Sequence, residues 1–243
     1  MTRVFGAAYS AIVYLVFLAS FLYAIPFLGD FLVAKTVDSA PPGSAVVAVI
    51  VDMLLLGVFA VQHSVMARPA FKRAWTRVVP VSLERSTYVL AASLALVLAY
   101  WQWRSLPAVV WNVSGPLASV LWVVFFAGWG LVLLSTFLID HFELFGLRQG
   151  FGPVLGLPEY APSFKSPSLY RLVRHPIYLG FVLALWGGPH MSVGRLLFAA
   201  GSTGYILIGI WFEERDLVGL FGDQYRDYRR RVAMLIPWPK KAA

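Results

Sequence analysis

Residues 171–237, RLVRHPIYLGFVLALWGGPHMSVGRLLFAAGSTGYILIGIWFEERDLVGLFGDQYRDYRRRVAMLIP, decide how the chain folds. A basic entry at Arg171, Arg174 and His175 leads into a short apolar run over 177–186, which turns at Gly187, Gly188 and Pro189. A second apolar run, 193–212, follows and stops abruptly on Glu213, Glu214, Arg215 and Asp216. Apolar runs joined by a Gly-Gly-Pro turn and ended by charges read as a membrane helical hairpin. Both charged ends then lie at one membrane boundary, which is expected to bring Arg174 and His175 close to Glu213 and Glu214.

Such a meeting of charges suits a small zwitterion with an extra positive charge. S-adenosylmethionine is one: its carboxylate calls for Arg or His, and its amino group, ribose diol and sulfonium call for carboxylates or oriented dipoles. The competing explanation is a stop-transfer boundary with a few surface ion pairs, because charges commonly flank membrane spans.

Outside the hairpin the composition points the same way. The 243 residues are 59% hydrophobic, above the roughly 45–50% of an ordinary soluble domain. Apolar runs at about 7–28, 44–66, 86–103, 117–139 and 193–213 come near or reach the roughly 20 residues needed to cross a bilayer. The run 177–188 is short, either a thin crossing or a half-helix broken at the Gly-Gly-Pro turn and covered by protein. The expected fold is all-α: a polytopic integral membrane bundle of five long spans and one short hairpin helix, with cytoplasmic N- and C-termini. It divides into a four-span bundle (1–139), a cytoplasmic loop or lid (140–170), and a hairpin module with its tail (171–237). The first span reads as an uncleaved anchor.

The formal net charge of +8 is distributed by topology. Of the 20 Lys and Arg residues, all but Lys35, Arg104 and Arg195 fall in segments assigned to the inner side when the short run crosses. The basic excess therefore reports orientation and anionic headgroups rather than nucleic acid. Cysteine is absent, which excludes disulfides, a catalytic thiol and cysteine-type zinc sites; no metal site is expected. The location this implies is a membrane, read as a bacterial inner membrane, with the site facing the cytoplasm.

Four further stretches carry ionisable groups. Asp52, Leu56, Phe59 and His63 fall on one helical stripe, with Asp52 near the wet outer end and His63 toward the inner side; an ionisable residue inside a span is a functional candidate, and plain structure is the alternative. Residues 67–85 are basic and read as a short surface helix with a headgroup contact. After the fourth span come Asp140, His141, Phe142, Glu143, Leu144, Phe145, Gly146, Leu147, Arg148 and Gln149; a continuing helix would put His141 and Arg148 on one face, with an amphipathic interfacial turn as the alternative. From 150 to 167 the chain is rich in Gly and Pro and reads as a loop long enough to act as a lid. Ser168 reads as an N-cap, and Arg229, Arg230 and Arg231 read as lipid contacts.

Arg174-His175-Pro176-x-Tyr178-x-Gly180, Glu213-Glu214-x-x-Leu217, Phe221-Gly222-x-x-Tyr225-x-x-Tyr228 and Pro237 together resemble the C-terminal module of isoprenylcysteine carboxyl methyltransferases and phospholipid N-methyltransferases. Gln62-His63-Ser64-x-Met66-Ala-Arg68-Pro69-x-Phe71-Lys72, Glu84-Arg85-x-x-Tyr88 and the 140–149 block resemble the nurim-like branch of that superfamily and, more narrowly, the bacterial methanethiol S-methyltransferases. The resemblance covers about 51–237. It implies methyl transfer from S-adenosylmethionine to a small volatile thiol, methanethiol, giving dimethyl sulfide. It leaves open a prenylcysteine or phospholipid acceptor and a non-enzymatic membrane protein of nurim type.

On this reading Arg174, His175, Pro176, Tyr178, Leu179, Gly180, Glu213 and Glu214 hold the cofactor. Pro176 fixes the entry to the short helix and Gly180 permits close approach. Arg148 and Gln149 close the cofactor's polar end. A thiol needs to lose its proton to become a strong nucleophile, and His141, oriented by Asp140 or Glu143, is the first candidate to take or steer it, with His63 second.

Overall fold

The computed structural model describes residues 2–39, 41, 43–158 and 163–237. Pro42, residues 159–162 of the expected lid, and Lys240 and Lys241 lie outside the described residues. Five helices are long and apolar enough to cross a membrane: α1 (Thr2–Gly29), α2 (Ala45–Ala67), α4 (Val81–Gln102), α5 (Pro116–Ile139) and α9 (Val193–Phe221). Each contains one of the runs read from the sequence, in whole or nearly so. Between them lie the short helices α3 (Pro69–Trp75), α6 (His141–Leu144), α7 (Leu147–Leu155) and α8 (Pro176–Trp186), and α10 (Asp223–Arg231) follows α9. A two-stranded sheet pairs β1 (Val109–Asn112) with β2 (His190–Ser192).

The helices gather into two compact units. The first comprises α1 to α4, α6, α7 and the first turns of α9; the second comprises β1, α5, α8, the rest of α9 and α10.

In the first unit α1 packs against α4 and α7, and α4 also packs against α2. Tyr88 and Val89 of α4 meet Val13 of α1 in its buried core, with Phe17 and Phe145 packed on them. One end of this unit gathers the three basic residues assigned to the outer side. The Lys35 ammonium donates to the Trp103 carbonyl at 2.8 Å, and the Arg104 backbone N–H donates to Asp52 Oδ1 at 2.9 Å. The N–H of Gly194, next to Arg195, donates to the Leu106 carbonyl at 3.0 Å. Asp52 is 0% exposed, not wet as its position near a helix end suggested, because the extended chain after α4 folds a backbone donor onto it.

Two expectations for 140–167 are corrected. The helix of α5 does not continue through the polar block: it stops at Ile139, resumes for a single turn as α6, and breaks again at Gly146, whose φ is +84°. The Gly- and Pro-rich segment is not loop from its start, because α7 runs to Leu155 and includes Pro153. Its glycine serves packing rather than flexibility. A side chain at position 150 would meet Ser10 Oγ at 2.0 Å, so Gly150 lets α7 lie directly on α1.

In the second unit the short run forms α8. Eleven residues make about 16 Å of helix, roughly half of a bilayer's ~30 Å hydrocarbon core. The chain continues past α8 without helix, and its backbone groups are satisfied there by protein, as such a break requires. Gly188 N–H donates to the Leu121 carbonyl at 3.1 Å, and the Pro189 carbonyl accepts from Val113 N–H at 2.9 Å. Helices α5 and α8 touch backbone to backbone. A Cβ on Gly128 would stand 2.4 Å from Ala184 N, and one on Gly180 would stand 2.8 Å from Gly128 O and Val132 N. Small residues at such contacts are how helices approach closely in membranes.

Candidate functional site

The hairpin base is built by three elements of the second unit. Residues 173–175 run beside the tail: Val173 bridges Ala233 in parallel, with Arg174 N–H donating to Ala233 O at 2.8 Å and His175 N–H to Met234 O at 3.2 Å. Pro176 then opens α8 at its first position, where its missing N–H costs nothing. Ser168 is no N-cap to this helix: it opens a 3-10 turn, Ser168–Arg171, with φ +32°.

The four ionisable groups expected together do meet. Arg174 Nε donates to Glu214 Oε1 at 2.6 Å, and His175 Nε2 donates to the same oxygen at 3.1 Å. Tyr178 Oη donates to Glu213 Oε2 at 2.8 Å, with His175 Nδ1 4.0 Å from that oxygen. Arg174, His175 and Glu214 are buried, whereas the Glu213 side chain is 42% exposed. A buried charge is tolerated when it is paired and hydrogen-bonded, and Arg174 is: its Nη1 also donates to Val232 O at 2.6 Å and Arg229 O at 3.2 Å. The Arg174 and Glu214 pair is therefore a clasp that ties the start of α8 to α9 and to the tail after α10.

The tail plays a larger part than headgroup contact. Arg229 Nη1 lies 3.7 Å from Glu214 Oε2, and Arg230 pairs with Asp227 on its own helix. Tyr228 Oη donates to the Tyr170 carbonyl, and Tyr170 Oη donates to Ser135 O of α5 at 3.2 Å. Burial first, and the Glu213 charge after it, raise the Tyr170 phenol; burial, then Glu214 and Glu213, raise that of Tyr225. Both remain neutral donors. The buried Tyr225 hydroxyl has no hydrogen-bond partner among the described residues, so this cluster holds an unfilled polar position beside its acids.

Leu179 and Gly180 sit one turn into α8. Leu179 is half-buried, with its N–H on the His175 carbonyl at 3.0 Å. Gly180 supplies close approach to helix α5 rather than open space for a ligand.

The other candidates belong mainly to the first unit. His141, 4% exposed, has its Nε2 2.9 Å from Tyr14 Oη and lies edge-on to Phe145. Burial holds its imidazole below the ordinary pKa of 6.5. Tyr14 lies among several aromatic residues of α1, and nothing in its spacing singles it out. Glu143 is engaged by Gln149, whose Nε2 donates to Glu143 Oε1 at 3.1 Å. Asp140, in the second unit, ends α5 with its N–H on the Thr136 carbonyl at 3.1 Å. His63 stacks on Phe59 with centroids 5.1 Å apart and lies 2.8 Å from Tyr88 Oη. Arg148 and Gln149 line a pocket of about 470 Å³ with Lys72, Glu84, Arg85 and Glu143.

Among the described residues, five membrane-length helices and a charged hairpin base define a polytopic helical membrane protein. The chain belongs to the family described as NnrU protein, whose family model matches residues 52–234. It is 59% identical over 242 residues to the methanethiol S-methyltransferase of Mycobacterium tuberculosis (strain ATCC 25618 / H37Rv), covering 99% of each chain. It is 47% identical over 240 residues to the methanethiol S-methyltransferase of Crocosphaera subtropica (strain ATCC 51142 / BH68), covering 98% of this chain and 94% of that one. More distantly, it is 36% identical over 176 residues to nurim of Mus musculus, covering 68% and 66%. No solved structure matches.

Proposed function

We propose that the protein transfers a methyl group from S-adenosylmethionine to methanethiol, giving dimethyl sulfide and S-adenosylhomocysteine. The observation that carries this reading is the 59% identity, over 99% of both chains, to a methanethiol S-methyltransferase. The reaction joins the thiol sulfur to the methyl carbon, breaks that carbon's bond to the sulfonium, and releases the thiol proton. When bound, S-adenosylmethionine supplies the electrophilic methyl carbon and a positive charge that favours a neighbouring thiolate.

The hairpin base suits that ligand. Glu213, half-exposed and oriented by the Tyr178 hydroxyl, and the unpartnered Tyr225 hydroxyl are the groups left to contact it. Arg174, His175 and Glu214 hold them in place through the clasp, and Pro176, Leu179 and Gly180 fix the helix that carries Tyr178. His141 is the proposed group for the thiol proton, since a buried neutral imidazole accepts one; Tyr14 orients its ring, and Asp140, Glu143 and His63 are secondary candidates. The distribution of Lys and Arg supports a cytoplasmic hairpin base and an inner-membrane location.

Headspace gas analysis of detergent-solubilised protein supplied with methanethiol and S-adenosylmethionine tests the reaction. Dimethyl sulfide is expected from the parent protein, and Glu213→Gln is expected to weaken binding of S-adenosylhomocysteine in calorimetry by about tenfold, the scale of one charged hydrogen bond. Binding without dimethyl sulfide would move the acceptor to a lipid or prenylcysteine. Neither binding nor product would favour a non-enzymatic membrane protein.

A further inference from the structure

The pocket of the first unit shares only Glu143, a secondary candidate for the thiol proton, with that reading. It opens among α3, α4, α7 and the residues just after α7, and it is lined by Lys72, Arg85 and Arg148 together with Glu84, Glu143 and Gln149. Its volume of about 470 Å³ is within the ~300–1,000 Å³ of ordinary ligand sites. Arg85 is held rigidly: Nε donates to Leu144 O at 2.8 Å, and the guanidinium lies 5.3 Å from the Tyr88 ring centroid. Burial, and next the charge of Arg85, lower the Lys72 pKa, while the charges of Glu84 and Glu143 raise it, so this lysine feels a cation and carboxylates of the pocket together. Gln149 gives its amide N–H to Glu143, but its Oε1 is buried without a partner among the described residues. The pocket thus offers cations to an anion and an unfilled acceptor to an N–H or O–H donor. A complementary ligand carries both groups.

The surroundings narrow the class. The pocket lies where α2 ends at Ala67 and α4 begins at Val81, that is, at the ends of membrane-length helices. The neighbouring chain exposes Val78 at 81%, Val81 at 61%, Leu155 at 63% and Leu157 at 49%. Exposed aliphatic side chains beside an ion-lined pocket match the depth at which headgroups give way to acyl chains, whereas a water-borne ligand has no use for them.

We propose that this pocket binds the headgroup of a membrane phospholipid. The phosphodiester is received by Lys72, Arg85 and Arg148, and the headgroup's ammonium or hydroxyl by Gln149 Oε1 and the two glutamates, while the acyl chains lie along the exposed valines and leucines. This assignment does not depend on the methyl-transfer reading.

Native mass spectrometry of the full chain, delipidated in detergent and titrated with phosphatidylethanolamine, tests it. Separate titrations use glycerophosphoethanolamine, inorganic phosphate and S-adenosylhomocysteine. Phosphatidylethanolamine is expected to bind, Lys72→Gln to weaken it about tenfold, and the soluble headgroup and phosphate to bind far more weakly than the lipid. Arg148→Gln, at an exposed position that leaves the core intact, is expected to weaken it in the same direction should Lys72→Gln fold poorly. Lipid binding unchanged in the variants overturns the proposal. So does phosphate or soluble headgroup binding as tightly as lipid, and so does loss of S-adenosylhomocysteine binding in these variants with lipid binding intact.

Discussion

The hairpin base and the pocket among α3, α4 and α7 contain the same kinds of group and employ them differently. At the hairpin base Arg174 and Glu214 close on each other, and backbone carbonyls accept from Nη1 of the guanidinium. In the pocket, Lys72 and Arg85 line a cavity. Burial makes the difference. An ion taken out of water has to be matched inside the protein, so the clasp residues serve the fold first and the ligand through their neighbours. Cations at the boundary stay available to whatever enters.

The largest expected effect breaks the clasp. Arg174→Met leaves Glu214 buried without its nearest partner, and losses of about 3–5 kcal/mol are usual for such a change. Thermal melting in detergent should show a large fall for Arg174→Met and a shift within about 1 kcal/mol for Lys72→Met, the scale of a boundary charge. Equal losses would erase the distinction between the two regions. Next in size is Gly128→Ala, where the new Cβ would stand 2.4 Å from the Ala184 backbone nitrogen. Overpacking of this sort costs about 1–3 kcal/mol, and because α5 and α8 have to part slightly, the same melt should fall by an intermediate amount. No change would mean that α8 is not held by α5.

Much of this was legible in the residues. The long helices follow from apolar runs ended by charges or turn residues, and the meeting of Arg174 and His175 with Glu213 and Glu214 follows from hairpin topology. What stayed hidden depends on neighbours distant in the chain. Gly150 and Pro153 signal a loop locally, yet both lie in α7, and the glycine is there because Ser10 of α1 stands where a side chain at 150 would clash. Asp52 looks wet until Arg104 N–H is folded onto it. Arg229 reads as a surface cation, but Glu214 draws it to 3.7 Å. Gly180 carries a recognisable motif position, and what the fold puts against it is a facing helix.

The smallest effect concerns His141, which belongs neither to the clasp nor to the boundary charges. Burial holds its folded pKa below 6.5, so between the two values the unfolded chain binds more protons than the folded one. Stability from this residue is therefore complete above about pH 6.5 and is lost as pH falls through the folded pKa. His141→Gln, which cannot titrate, should flatten that acid decline. With the ring neutral and its proton on Nδ1, the Tyr14 hydroxyl donates to Nε2 and favours the neutral form. Tyr14→Phe should then cost about 0.5–1.5 kcal/mol at neutral pH and move the acid decline upward in pH, toward 6.5. A decline unmoved by Tyr14→Phe would show that burial alone keeps the imidazole neutral, and would remove Tyr14 from the set of residues that orient it.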